Sequence, residues 1–204
     1  MEENSPRLSL FDLIALAGAT WFGSGLLPLM PGTWGTLAAV PLVAAMSILL
    51  APLHYVAAAA ILTLIAIPMA ARAASLYRSH ARIRRLNPHA RRIFDSEALQ
   101  RWIKDEERQK EDPGMIVIDE VVGYAVAMIA VRPSLAAFVI AFVFFRVFDI
   151  IKIQPGRLVE KLGGGIGIVM DDVVAGLYAC LLTHVSLWIL SALPFPELPL
   201  WLLN

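Results

Sequence analysis

Residues 13–71 read LIALAGATWFGSGLLPLMPGTWGTLAAVPLVAAMSILLAPLHYVAAAAILTLIAIPMAA, with no Asp, Glu, Lys or Arg among them. A membrane-spanning helix needs roughly 20 predominantly apolar residues, so this stretch has room for two. Prolines punctuate it. Pro28 and Pro31 precede one run and Pro52 the next, which predicts spans near Trp34–Leu50 and Leu53–Ala71. Pro41 and Pro68 fall inside the runs, where neighbouring membrane helices satisfy the carbonyls that proline frees. Upstream, Leu8–Leu29 is hydrophobic but holds Asp12 and several glycines, the pattern of a re-entrant or interfacial segment.

Working outward, the segment Arg72–Asp112 carries eleven of the seventeen basic residues and seven acids, most of them late, so polar helical structure outside the membrane is expected. Three further apolar runs follow, Ile116–Val131, Ser134–Ile151 and Ile168–Leu190, separated by Arg132-Pro133 and by Lys152–Gly167. The tail Leu193–Leu203, with three prolines, is too short to span. The reading is an all-α, multi-span membrane protein. It has about five membrane helices, the N-terminal segment, and a basic insert at 72–112 within a single domain of 204 residues. Composition agrees: 58% of residues are hydrophobic and 17% charged, against about 45–50% and about 25% in soluble domains. The net charge is zero, so no global field draws in nucleic acid. The single Cys180 excludes an intrachain disulfide or a Cys-x-x-C site. The start, Met1-Glu2-Glu3, lacks the basic region of a secretory signal.

The positive-inside rule places the basic insert in the cytoplasm. Alternation then carries the first span out from Trp34 and the second back at Ala71. The third leaves at Ile116, the fourth returns at Ile151, and the fifth goes out. On that path Asp119 and Glu120, Arg146 and Asp149, and Asp171 and Asp172 all fall at the inner ends of their runs. Ionisable residues inside membrane segments are costly and usually functional. Five acids at one depth repel one another unless neutralised, and a carboxylate-rich site favours Mg²⁺, Mn²⁺ or Ca²⁺. Asp119, Asp149, Asp171 and Asp172 are the candidate metal ligands, Asp119 and Asp149 also belonging to the catalytic set, and Glu120 is the candidate general base.

Arg146, Asp149 and Lys152 are spaced by three and so share a helix face. Arg146 and Lys152 would hold phosphate oxygens, Arg as a fork and Lys as a point charge; the plain alternative is a stripe of neutralising ion pairs. Gly163-Gly164-Gly165 ahead of Asp171-Asp172 permits close backbone approach at a helix N-terminus, which favours anions. In Pro31-Gly32-Thr33-Trp34-Gly35-Thr36, Thr33 and Thr36 are either helix caps or part of a substrate loop reaching the charged layer. His54, His80, His89 and His184 share no metal-ligand spacing.

Three blocks together resemble the phosphatidylglycerophosphatase A family. They are the N-terminal block through Pro31-Gly32-Thr33-Trp34-Gly35-Thr36, the block Ile116–Gly123 with Asp119-Glu120, and the block from Phe145-Arg146-x-Phe148-Asp149 to Asp171-Asp172-x-x-Ala175-Gly176. The family's Lys-Pro-x-Pro reads Lys152-Ile153-Gln154-Pro155 here. The resemblance implies a mainly helical, Mg²⁺-dependent phosphatase of the bacterial inner membrane. Such an enzyme converts phosphatidylglycerophosphate to phosphatidylglycerol, with its active site on the cytoplasmic side among membrane lipid. A CDP-alcohol phosphotransferase would need Asp-Gly-x2-Ala-Arg-x8-Gly-x3-Asp-x3-Asp, which does not occur. A cation-coupled carrier would spread its acids through the membrane depth.

The topology is open to a direct check. In a Cys180→Ser background, a cysteine introduced at Ala90 should resist labelling by an impermeant reagent applied from the periplasm. Labelling from that side would invert the orientation.

Overall fold

A computed structural model describes residues 8–79 and 113–192, which are helical with no strand among them. The helices are α1 (Leu10–Ala19), α2 (Pro31–Leu49), α3 (Pro52–Ser79), α4 (Ile118–Ala127), α5 (Leu135–Ile151), α6 (Gly156–Glu160) and α7 (Gly164–Ala192). Most of the basic insert and the proline-rich tail lie outside the described residues.

Of the five expected spans, α2, α3 and α7 are each long and apolar enough to cross a membrane. The 17 residues of α5 reach about 25 Å at the helical rise. Its exposed residues Leu135, Val139, Val143 and Val147 form a stripe at four-residue spacing, the flank available to lipid. The expected third span, Ile116–Val131, is different. Its helix, α4, has only ten residues, about 15 Å of rise, and nine of them are buried. A helix that is apolar all round is either lipid-facing or enclosed by protein, and α4 is enclosed, packed chiefly against α7 and also against α2 and α3.

Backbone carbonyls at a helix end within a membrane are satisfied by protein groups, and the end of α4 and the turn after it follow that rule. Three side chains supply the groups. The Tyr55 hydroxyl donates to Ala125 O at 2.8 Å, Cys180 Sγ donates to Ile129 O at 3.4 Å, and His184 Nε2 lies 3.3 Å from Ala130 O. Ala130, with φ 57°, turns the chain, and Ser134 caps α5 by accepting from Ala137 N.

Close approach of α4 and α7 depends on two glycines that face one another. A Cβ on Gly176 would run into Gly123 O and lie 3.0 Å from Val126 Cβ. One on Gly123 would lie 2.7 Å from Asp172 O and collide with the Phe145 ring. The glycine run before α7 serves a similar end, because Gly165 packs against Ile67 O and Ala71 of α3.

The N-terminal segment is a bracket around the start of α4. Ser9 and Asp12 form a capping box on α1, and Arg72 Nε donates to Asp12 Oδ1 at 2.7 Å, tying α1 to α3. The Arg72 guanidinium, helped by the Ser9 N–H, holds the Asp12 carboxyl down at about 2. Val117 N donates to Ala19 O at 2.8 Å. A Cβ on Gly35 would meet Val117 Cβ at 2.5 Å. These contacts fix the register of α4, and with it the position of the next two residues, Asp119 and Glu120.

Overpacking a closed core usually costs about 1–3 kcal/mol. Gly176→Val should therefore lower the thermal unfolding midpoint in detergent by several degrees, whereas Leu177→Val, at an exposed neighbouring position, should leave it unchanged. Equal midpoints for the two variants would show that α4 and α7 are not in contact at Gly176.

Candidate active site

Three helix ends converge. Asp119 and Glu120 occupy the first turn of α4, where the helix dipole favours negative charge. Arg146 and Asp149 lie in the last two turns of α5, and Lys152 is its C-cap, in a left-handed conformation with φ 48°. Asp171 and Asp172 sit two turns into α7, since that helix begins at Gly164.

One carboxylate oxygen from each of Asp119, Glu120 and Asp172 lies within 4.8 Å of the other two. Asp119 and Asp172 are buried and the Glu120 side chain is 13% exposed. Glu120 Oε2 and Asp172 Oδ2 accept no hydrogen bond from the described residues. Buried carboxylates at this separation disfavour joint ionisation, and the three oxygens converge as hard donors.

Two cations flank the cluster. Arg146 Nη1 lies 2.8 Å from Asp149 Oδ2 and 3.7 Å from Glu120 Oε1. Lys152 Nζ donates to Asp171 Oδ2 at 2.7 Å and to Glu160 Oε1 at 2.8 Å. The second oxygen of Asp171 accepts from the backbone N–H of Asp172 at 3.1 Å. A cleft between α5 and α7 is lined by Asp149, Lys152, Asp171 and Asp172, with Phe148 and Tyr178 as its apolar wall.

The α2 N-terminus closes the other side. A Cβ on Gly32 would collide with Glu120 Oε1 and lie 2.9 Å from Arg146 Nη1. The Pro31–Thr36 turn thus reaches the charged layer. Thr36 is buried and donates to Gly32 O at 2.8 Å, inside the helix. Thr33 is half-buried in the first turn, beside Gly32.

The sequence-derived set is therefore brought together at one end of the bundle, but divided within it. Asp119 and Asp172 share a cluster with Glu120; Asp149 pairs with Arg146 and also stands beside Asp172 and Glu120, while Asp171 is engaged by Lys152. Sequence reasoning missed the close approach of Gly32, although its Pro-Gly-Thr setting marked a special turn. It also missed Glu160, which the polar stretch before the glycine run conceals. The glycine run itself begins α7 two turns away from Asp171, and Cys180 and His184 serve the carbonyls at the far end of α4.

The phosphatidylglycerophosphatase A family matches this chain over residues 17–82 and 92–187. The chain belongs to the phosphatidylglycerophosphatase A family. A Haemophilus influenzae protein named phosphatidylglycerophosphatase A is 32% identical over 196 residues, covering 93% of this chain and 100% of that protein. A Bacteroides thetaiotaomicron protein, provisionally named a phosphatidylinositol-3-phosphatase, is 39% identical over 84 residues. That match covers 40% of this chain and 53% of the other. No solved structure matches the chain. The two family matches span α1 to α7, so they include all the acids and cations of the site.

A shift of about 1 Å at a reacting group costs on the order of 10²-fold in rate. Gly32→Ala, which pushes on both Glu120 and Arg146, should cut phosphatase turnover at least tenfold while the unfolding midpoint moves by only a few degrees. Near-normal turnover would show that the α2 turn does not set the position of either group.

Proposed function

We propose that the chain hydrolyses the phosphate monoester of phosphatidylglycerophosphate to phosphatidylglycerol and phosphate, using Mg²⁺, at the cytoplasmic face of the bacterial inner membrane. The observation that carries this is the buried cluster of Asp119, Glu120 and Asp172 with Arg146 and Lys152 beside it, in a chain of this family.

The donor set suits a small hard cation. Mg²⁺ is usually held by one or two carboxylates and completes its shell with water and substrate phosphate. Asp119 from α4 and Asp172 from α7 are the two ligands in this reading. When bound, the ion polarises the phosphoryl group and lowers the pKa of water.

The chain's own residues do the rest. Arg146 and Lys152 hold the phosphate oxygens, each aimed by its acid partner: Asp149 fixes Arg146, and Asp171 fixes Lys152. Glu120, with Oε2 free of donors, takes the proton of the attacking water as its oxygen bonds to phosphorus. As the bond from phosphorus to the glycerol oxygen breaks, the departing oxygen takes a proton from water, and Glu120 returns its own to solvent. Monoester transfer has a loose transition state, so positioning and charge neutralisation supply most of the rate. The α2 turn carries Thr33 alongside Gly32 at the edge of the site, placed to meet the headgroup. Thr36, whose hydroxyl is spent on Gly32 O, supports that turn from behind. Membrane lipid covers the exposed apolar flanks of α5 and α7, and the cleft between these helices admits the headgroup from the leaflet. The basic residues Arg72 and Arg78 of α3, with Arg157 and Lys161 near α6, support a cytoplasmic orientation of this end.

Ligand and base are separable. With phosphatidylglycerophosphate in mixed micelles, the wild type should release phosphate only with a divalent cation. Asp119→Asn and Asp172→Asn should each cost on the order of 10²-fold or more and raise the Mg²⁺ concentration needed. Glu120→Gln should lose about 10²–10⁴-fold in turnover with the Mg²⁺ requirement unchanged. Metal-independent wild-type hydrolysis, or full activity in Asp172→Asn, would defeat the reading.

A further inference from the structure

Lys152 holds two carboxylates, and they are not equivalent. The Asp171 side chain is 9% exposed and is also fixed by the Asp172 N–H. The Glu160 side chain is 44% exposed and stands at the end of α6, a helix of only five residues. Asp171 belongs to the walls of the cleft, whereas Glu160 approaches from outside it. A buried, doubly bonded partner is retained when a competitor arrives. An exposed one at the end of a short helix leaves more easily, since solvent-exposed ion pairs are weak.

The charges add a second constraint. A phosphate monoester reaching this cleft meets three carboxylates, Asp149, Asp171 and Asp172, around the single lining cation Lys152. Lys152 Nζ has three donors, two of them already directed at carboxylates. Of the two carboxylates on Lys152 among the described residues, a phosphate taken up there meets Glu160 as the weakly held one.

We propose that Glu160 is an anionic stand-in for the substrate phosphate, holding Lys152 beside Asp171 until the phosphomonoester displaces it. Substrate binding is then an exchange of anions on Lys152, and Glu160 is a positioning residue that sets substrate affinity. The proposal rests on the reading of Lys152 as a phosphate ligand. It gives Glu160→Gln an unusual sign, because removing an ion pair tightens binding.

The test is a cycle of Glu160→Gln and Lys152→Met, reading KM and kcat for phosphatidylglycerophosphate in mixed micelles. A second readout, independent of turnover, is binding of inorganic phosphate followed by ³¹P line broadening. In the wild-type background Glu160→Gln should lower KM, and the dissociation constant for inorganic phosphate, by about two- to fivefold, with kcat within about twofold. In the Lys152→Met background the same change should alter neither by more than the small effect of one removed surface charge. A KM that rises or stays level in Glu160→Gln would overturn the proposal and make Glu160 a mere prop for Lys152. An equal drop in both backgrounds would also overturn it, assigning the effect to general charge. Loss of all hydrolysis in the wild type would instead count against the proposed function.

Discussion

Three carboxylate oxygens held within 4.8 Å of one another inside an apolar bundle are the constraint around which the rest of the structure is arranged. Like charges so close, with so little water, are unfavourable unless a cation answers them. The fold meets that demand by surrounding the cluster with fixed partners. Arg146 stands over Glu120 and Asp149, Lys152 over Asp171, and the N-terminus of α4 lies beneath Asp119 and Glu120. What this leaves is a set of inward-facing oxygens suited to a hard divalent ion.

The unusual shape of α4 follows from the same demand. A full span would carry its acids at one end and present lipid-facing surface along its length. A ten-residue helix enclosed by α2, α3 and α7 instead delivers Asp119 and Glu120 to the charged end of the bundle. At its far end Tyr55, Cys180 and His184 attend to carbonyls of the last turn and of the loop that follows. Gly123 and Gly176 bring α4 and α7 close enough for Asp172 to join the cluster. The two ends of this short helix thus differ: one carries the acids of the cluster, and at the other side chains hold the backbone carbonyls that a membrane interior leaves without water.

Much of this was legible in the sequence. An uncharged run of Leu13–Ala71 admits little besides membrane helices, and α2 and α3 occupy it. Alternation of the expected spans puts the acids of three separate runs at one depth, and the helices do bring those acids together, although the run Ile116–Val131 is not the full span that reading assumed. Two things were not legible. Periodicity cannot distinguish a lipid-facing run from one enclosed by protein, because Ile116–Val131 is apolar on every face in either case; only the tertiary packing shows that α4 is short. Nor does a sequence reveal which carboxylate answers which cation. Asp149 and Asp171 sit as close to the charged layer as Asp119 and Asp172, and the division between them depends on side-chain direction. Glu160, eight residues beyond Lys152, carries no pattern that separates it from a solvated surface acid.

The central claim is that Asp119 and Asp172, from two different helices, hold a divalent cation beside Glu120. Anomalous diffraction from crystals grown with Mn²⁺ in place of Mg²⁺ tests it most directly. The account predicts a single strong peak between the Asp119 and Asp172 carboxylates, absent in Asp172→Asn. A peak seated instead between Asp149 and Asp171, or one that persists in Asp172→Asn, would contradict it.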